Sequence, residues 1–465
     1  MNDFSLVING RSVPGDFSME VVNPATGKAF TECSRASLEQ LNNAVAAAKA
    51  ASRNWATIPT ADRRAAVLTM ADIMERNKED LARLLTAEQG KPIAAALGEM
   101  EEAIANYRAL AAFDLSAEVI PDDSGRDIRL HRRPLGVVGL ITPWNFPMAN
   151  LSFKLPFALL CGNTVIVKPA PTTPLTTLHF AQLVKEVVPP GVLNVITDQN
   201  DLGEHLVAHP DVSKIALTGS TETGKKVMAA AAPTLKRVTL ELGGNDAAIV
   251  LGDVDPEEIA PKLFESAFAN SGQVCIAIKR LYVQDSIYDA VCDALDALAR
   301  AAVVGDGMAA DTQFGPVQNR AHFDRLKKLI EETRCHGDVR PGSEIPASSG
   351  FFVAPTIVRN IKEGTRLVDE EQFGPVLPVI SFQQDEDIAQ RVNASRYGLG
   401  ASVWSGDVNR AREIAERLEC GTIWINKHLD LAPHIPFGGV KQSGIGVEMG
   451  TDGLREYTRL SVIND

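Results

Sequence analysis

At 465 residues the chain is too long for one ordinary hydrophobic core, so two or three domains are expected. Its 45% hydrophobic and 23% charged content is that of a soluble globular protein, and a formal charge of −13 disfavours general binding to nucleic acid or anionic membrane. No apolar run approaches membrane-spanning length, and the polar start Met1-Asn2-Asp3-Phe4 reads as neither signal peptide nor transit sequence, which makes the cytoplasm the default location.

The N-terminal region reads as short strands and turns, with a strand over 6–10 ending in Asn9-Gly10 and a turn over 23–28. An Ala-rich helix is expected over 38–55. A second, over 62–86, places Val67, Met70, Ala71 and Met74 on one stripe facing a sheet, and Gly90-Lys91-Pro92 closes it. A third helix, roughly 95–115, carries acidic residues read as solvated surface. Residues 117–133 then alternate apolar and polar outside any strand–helix rhythm, as an arm that pairs with another element or subunit would.

From 134 onward strands and helices alternate: strand 137–141, helix 151–160, strand 164–167, helix 174–187, strand 193–196, helix 201–208, strand 214–217 and helix 223–231. That rhythm argues a doubly wound α/β sheet. The second half repeats the class, with helix 255–269, strand 280–283, helices 286–302 and 318–334, irregular strands over 350–381, helix 385–394, strand 400–404, helix 407–417 and strand 421–425. The stretch 453–465 is again alternating and edge-like.

Several loops carry chemistry. Cys275 sits in Ala269-Asn270-Ser271-Gly272-Gln273-Val274-Cys275-Ile276, a small-residue turn after an apolar helical run, where backbone N–H groups can stabilise a thiolate or an oxyanion. The six cysteines are scattered with no C-x-x-C pair, so neither a zinc site nor a disulfide framework is expected. Thr218-Gly219-Ser220-Thr221-Glu222-Thr223-Gly224 joins a strand to a helix, a junction that can receive a pyrophosphate or simply cap the helix. Lys168, at a strand's carboxyl end, can hold a ribose hydroxyl or phosphate, and equally can snorkel to the surface. Asn145, between two aromatics and two prolines in Thr142-Pro143-Trp144-Asn145-Phe146-Pro147, offers a fixed amide as oxyanion donor. Glu241 ends an apolar run before Gly243-Gly244, where burial would raise its pKa and suit it to general-base work. Glu371 and Phe373 share a turn, and Pro436-Phe437-Gly438-Gly439 opens a Gly-rich loop read as positioning.

Taken together, and in this order along nearly the whole chain, these segments resemble the aldehyde dehydrogenase superfamily. The resemblance implies a Rossmann-like cofactor-binding domain over 1–117 and 134–242, a related α/β catalytic domain over 243–445, and a small β-strand oligomerisation arm over 118–133 and 446–465, hence a homodimer or homotetramer. It implies oxidation of an aldehyde to the carboxylic acid with reduction of NAD, NADP use being possible, through a thiohemiacetal and thioester on Cys275. Asn145 and the Cys275 backbone N–H would hold the oxyanion, and Glu241 would activate water. Cofactor contacts are expected from Ile141, Thr142, Pro143, Trp144, Lys168, Gly219, Ser220, Gly224, Leu242, Gly243, Glu371 and Phe373. The substrate tunnel is expected at Phe146, Ala149, Asn150, Phe153, Val274, Ile276 and Leu431, with no metal. That apolar lining suggests an uncharged aliphatic or aromatic aldehyde. Pro171 stands where many NAD-preferring members carry a glutamate. Two rival readings are a CoA-acylating semialdehyde dehydrogenase, against which Glu241 argues, and a non-catalytic homologue.

Overall fold

The computed structural model describes residues 4–347 and 349–465, so the polar start Met1–Asp3 lies outside the described residues. Two α/β sheets organise the chain. The first has eight strands in the edge-to-edge order Arg11–Val13, Leu6–Ile8, Leu193–Val195, Thr164–Lys168, Val137–Ile141, Val212–Thr218, Arg237–Glu241 and Gly444–Ile445. Its five central strands are mutually parallel, and the flanking pairs are antiparallel. The chain moves from Val137–Ile141 to one side, then returns to place Val212–Thr218 on the other. Between those two strands lies the topological switch point, where open sheets gather ligands at strand carboxyl ends.

The second sheet has seven strands in the order Asp338–Pro341, Thr356–Arg359, Val376–Phe382, Arg280–Gln284, Ala247–Val250, Gly400–Trp404 and Thr422–Ile425, parallel except for the first pair. Ala247–Val250, fifth in that order and buried throughout, is a strand the sequence reading passed over. Its four residues include two alanines, which carry little strand preference, so neighbours on both sides rather than propensity make it a strand.

The arm is a separate three-stranded antiparallel sheet in which Ile128–Pro134 pairs with Glu118–Ile120 and with Thr458–Asn464. It leaves Val119, Leu460, Val462 and Ile463 exposed. The C-terminal stretch is not all strand: Gly450–Glu456 is helical, and pairing starts only at Thr458.

Three further expectations are corrected. The helix expected over 62–86 is two helices, Thr60–Arg76 and Lys78–Gln89, broken at Asn77. The Asn77 amide donates to the Ile73 carbonyl at 2.7 Å, a local bond that competes with helix continuation. Its stripe of Val67, Met70, Ala71 and Met74 is fully buried, but against the helices Ile93–Ala111 and Pro147–Leu160 rather than a sheet. Gly90 does close the helix Lys78–Gln89, at φ +98, where a Cβ would lie 2.7 Å from Pro316 and 2.8 Å from Pro24.

The acidic face of the third helix is only partly solvated, because Glu99 is buried in a salt bridge to Lys91. That pair also explains why the next helix begins at Pro147, four residues before the expected start. Glu99 accepts from the backbone N–H groups of Met148 and Ala149 at 2.9 and 3.1 Å, doing from a distance what a local N-cap would do. No helix among the described residues is long and apolar enough to cross a membrane.

Candidate active site

Two cavities meet at Cys275, Asn145 and Thr218. The first is a cleft of about 420 Å³ over the switch point of the first sheet. It is lined by Pro143 and Trp144 after one strand, residues 218–222 after the next, and Leu242 and Gly243 after Arg237–Glu241. Ser220 caps the helix Thr221–Ala231, its hydroxyl accepting from the Thr223 N–H at 3.2 Å. Gly224 seats that helix, since a Cβ there would meet Leu242 at 2.6 Å. Gly219 faces open space, its nearest neighbour for a Cβ being Leu217 at 3.5 Å, so a ligand can approach the backbone. Thr218 Oγ1 is buried with no protein partner among the described residues. A helix N-terminus, open backbone and an unpaired hydroxyl are what a dinucleotide phosphate needs, and the residues present fit one. On the far wall Trp144 packs edge-on to Phe373 with ring centres 5.4 Å apart, and Phe373 holds a left-handed backbone at φ +52 while its carbonyl meets His322 Nε2 at 2.7 Å.

The loop carrying Cys275 is built from strained backbone. After the helix Pro256–Phe268, Asn270, Ser271 and Gly272 take φ values of +49, +55 and +72 in succession. Non-glycine residues in this region cost of order 1 kcal/mol each and persist only when their surroundings fix them. Ser271 Oγ donates to the Gly315 carbonyl at 2.7 Å, Asn270 Nδ2 to the Asn145 carbonyl at 3.1 Å, and Gln318 N–H to Gln273 Oε1 at 2.8 Å. Asn145 is tied to the same loop, its Nδ2 donating to the Gln273 carbonyl at 2.9 Å. An amide nitrogen carries two hydrogens, and this bond uses one. Cys275 is half-buried at the seam. Burial first, then the carboxylates of Asp246, Glu241 and Glu371, push its thiol up to about 12, while Lys279 pulls the other way.

Glu241 ends the strand Arg237–Glu241 and lines the second cavity. Both of its carboxyl oxygens are buried with no protein partner among the described residues. Burial, and then the charge of Glu448, hold its pKa well above the usual carboxylate range, with Lys154 opposing. The Gly-rich loop makes room for it, since a Cβ on Gly438 would lie 3.3 Å from Glu241 Oε1. A desolvated carboxyl free of partners is suited to take a proton from water. Two residues beside it escaped the sequence reading. Lys154 Nζ pairs with Glu448 Oε1 at 2.7 Å, both fully buried. A lysine as the one charged residue of the helix Pro147–Leu160 was the available signal.

The second cavity, about 540 Å³, brings together Phe146, Ala149, Asn150, Phe153, Val274, Ile276 and Leu431 with Cys275 and Glu241. Leu429, Phe437 and Met449 complete its apolar wall. Its charged lining consists of carboxylates, those of Glu102, Glu241 and Glu448.

The cleft does not gather every residue expected at the cofactor. Pro143, Trp144, Gly219, Ser220, Leu242, Gly243, Glu371 and Phe373 line it, whereas Ile141, Thr142, Lys168 and Gly224 stand behind its surface. Lys168 is engaged elsewhere, its Nζ 2.6 Å from Asp198 Oδ1 in a buried pair, and Asp198 Oδ2 accepts from the Leu202 N–H at 3.0 Å. Glu371 turns partly inward, accepting from the Gly244 N–H at 3.1 Å.

Comparison with known proteins agrees with this geometry. The model of the aldehyde dehydrogenase family matches residues 13–463. The phenylacetaldehyde dehydrogenase of Pseudomonas fluorescens is 40% identical over 97% of this chain and 94% of its own. An aldehyde dehydrogenase structure from Bacillus cereus superposes with a TM-score of 0.97 at 36% identity, covering 100% of this chain and 96% of the other. A betaine aldehyde dehydrogenase structure from Staphylococcus aureus, in complex with NAD+, does so with a TM-score of 0.96 at 32% identity, covering 100% and 98%. The chain therefore belongs to the aldehyde dehydrogenase family, and its activity is the NAD(P)-dependent oxidation of an aldehyde.

Proposed function

We propose that this enzyme oxidises uncharged aliphatic or aromatic aldehydes to carboxylic acids, with Cys275 as nucleophile, Asn145 as oxyanion donor and Glu241 as the base that activates water. The observation that carries the reading is the seam itself. One half-buried thiol borders both a cleft suited to a dinucleotide and an apolar tunnel that also holds an unpaired carboxyl.

The cofactor, held by the helix N-terminus at Ser220, the backbone of Gly219 and Gly243, and the walls at Trp144, Glu371 and Phe373, supplies the hydride acceptor when bound. Cys275 Sγ attacks the aldehyde carbon, and the alkoxide that forms accepts from Asn145 Nδ2 and the Cys275 backbone N–H. Once oxidation has left a thioester on Cys275, Glu241 takes a proton from water as the water oxygen adds to the acyl carbon, and the acid departs. The thiolate is regenerated, and Glu241 passes its proton to solvent.

The tunnel supports the substrate class. Aromatic and aliphatic walls favour an apolar chain or ring, and a lining whose ionisable side chains besides Cys275 are all carboxyls offers an anionic semialdehyde no cation to meet. An arylacetaldehyde of the kind named for the Pseudomonas relative suits these walls. We assign NAD as the preferred cofactor, with NADP usable, on the absence of any arginine in 168–177 to receive a 2′-phosphate. Residues 1–117 with 134–242 form the cofactor domain and 243–445 the catalytic domain in this reading. The segments 118–133 and 446–465 form an arm whose exposed apolar side chains join subunits into a homodimer or homotetramer, acting in the cytoplasm.

The test is a panel of phenylacetaldehyde, straight-chain aldehydes and succinic semialdehyde, assayed with NAD and NADP at equal concentration, with and without CoA. Highest kcat/KM on a neutral aldehyde, with NAD and free acid as product, is expected. Best activity on the semialdehyde, or acyl-CoA as product, sinks the reading.

A further inference from the structure

Four residues after Cys275 stands Lys279, 1% exposed. The backbone turns between them, with the Ala277 N–H donating to the Val274 carbonyl at 3.2 Å, so the lysine side chain folds back beneath the cysteine. Its Nζ donates to the carbonyl oxygen of Cys275 at 2.6 Å and lies 3.4 Å from Glu371 Oε1. The backbone around it is fixed as well. The N–H groups of Lys279 and Arg280 both donate to the Asp246 carbonyl, at 2.9 and 3.1 Å, and Gln372 Nε2 donates to the Lys279 carbonyl at 3.0 Å. The cation is thus held at the Cys275 peptide and shielded from solvent.

The charges facing Cys275 come from four elements. Lys279 favours its anion; Asp246, just ahead of the strand Ala247–Val250, Glu241, ending a strand of the first sheet, and Glu371, on the cleft wall, oppose it. Arg325, whose guanidinium donates to the backbone carbonyls of Glu371 and Gln372, also faces the Glu371 carboxylate and favours its ionised form, after Lys279. Arg280 is spent on the Asn245 carbonyl at 2.8 Å and the Tyr282 hydroxyl at 3.1 Å.

We propose that Lys279 is a positioning residue for the reaction: it grips the Cys275 peptide and supplies the positive field under which the thiolate forms, while Glu371 is the counter-charge that weakens this field. Neither role follows from the way Cys275 and Glu371 serve the chemistry described above. A serine or threonine could hold the same carbonyl without a charge, so the claim is about the cation.

The experiment follows alkylation of Cys275 by iodoacetamide in the full-length protein without cofactor, between about pH 7 and 10, with peptide mass spectrometry separating Cys275 from the other cysteines. Below the thiol pKa, the rate at a given pH tracks the thiolate fraction, so a displacement of the log-rate profile reads the field directly. Lys279→Met is expected to slow alkylation about tenfold at each pH, equivalent to about one pKa unit. Lys279→Arg is expected to restore most of the rate. Glu371→Gln is expected to speed it several-fold. Because Lys279→Met leaves Glu371 buried without its partner and can fail to fold, the double variant Lys279→Met/Glu371→Gln removes both charges together. It is expected to react more slowly than Glu371→Gln alone. Profiles of Lys279→Met and of the double variant that superimpose on wild type and on Glu371→Gln respectively would overturn the proposal and leave Lys279 a packing residue.

Discussion

The two cavities share Cys275, Asn145 and Thr218 and are otherwise made of different material. The cleft draws on backbone as well as side chains: a helix N-terminus, the ends of three parallel strands and glycines that let a ligand close on the chain. Charges of both signs line it, from Glu222, Glu370 and Glu371 to Arg325 and Arg396. The tunnel is side chain, supplied by the helix Pro147–Leu160, the residues either side of Cys275 and the loop at 429–437. A surface made of backbone suits one ligand that never changes, whereas a surface made of side chains can be retuned residue by residue. Constancy of cofactor and variety of substrate are therefore built into separate walls, and only the seam does chemistry.

The largest effect tests that division at the seam. Cys275→Ser keeps the shape of both cavities and removes the thiolate, so aldehyde oxidation should fall by at least about 10³-fold. Cofactor affinity, followed by tryptophan fluorescence, should stay within about twofold, because the cleft is left as it was. A loss of cofactor binding in step with activity would show that the seam cannot be separated from the cleft.

Glu241→Gln comes next, with kcat lower by about 10²–10⁴-fold. The acyl-enzyme should accumulate, seen as a burst of reduced cofactor followed by a slow steady state. The same variant has a stability signature of known sign. The Glu241 carboxyl is held above its ordinary pKa, so the folded state keeps a proton that the unfolded chain has released, and stability present at low pH is lost as pH rises through the folded value. Glutamine never ionises. Its melting temperature should exceed that of wild type near about pH 8, and the gap should close as pH falls toward about 5. An equal gap at both pH values would mean that Glu241 does not titrate where its burial implies.

How far the sequence reveals these walls follows from what they are made of. Strand–turn–helix junctions leave a local mark, so residues 218–224, 141–147 and 241–245 stand out as candidate loops and Cys275 as a candidate thiol, while their roles come from the family resemblance. Lys168 shows the limit of that reading, since its place at a strand end is legible while the partner that orients its amine, Asp198, lies thirty residues away. Long-range pairs leave no such mark. Glu99 looks like one more surface acid on a helix until Lys91 is placed beside it, and the Lys154 partner Glu448 comes from a distant C-terminal loop. The break at Asn77 is local yet was missed, because apolar periodicity runs through it and only the side-chain bond to Ile73 reveals the interruption. The tunnel residues were reached through family resemblance and could not have come from periodicity, which reports burial and not what the burial encloses.

Within the tunnel the expected effects shrink with distance from the sulfur. Phe153 is buried on the helix Pro147–Leu160 and packs with Ala149, Val274 and Ile276. Phe153→Ala should lower kcat/KM for an aromatic aldehyde by about 10–200-fold, with a smaller loss for a short aliphatic one that never reaches that wall. Equal losses for both would place the effect on the seam rather than the tunnel.

Glu102 gives the smallest and most selective test. It lines the cavity from the exposed side of the helix Ile93–Ala111. Desolvation, then the charge of Glu99, push its carboxyl up to about 7, so the comparison is made at about pH 9, where it is ionised. Glu102→Gln should leave kcat/KM for a neutral aldehyde within about twofold and raise it about two- to fivefold for an anionic semialdehyde, a gain that disappears in about 0.5 M salt. The kcat at saturation should be unchanged, since the residue meets the substrate on its way in and touches nothing that reacts. A matching gain for the neutral substrate would make Glu102 a steric gate, and the acidity of the lining would then come down to Glu241 and Glu448, both too deep to sort substrates before they reach the sulfur.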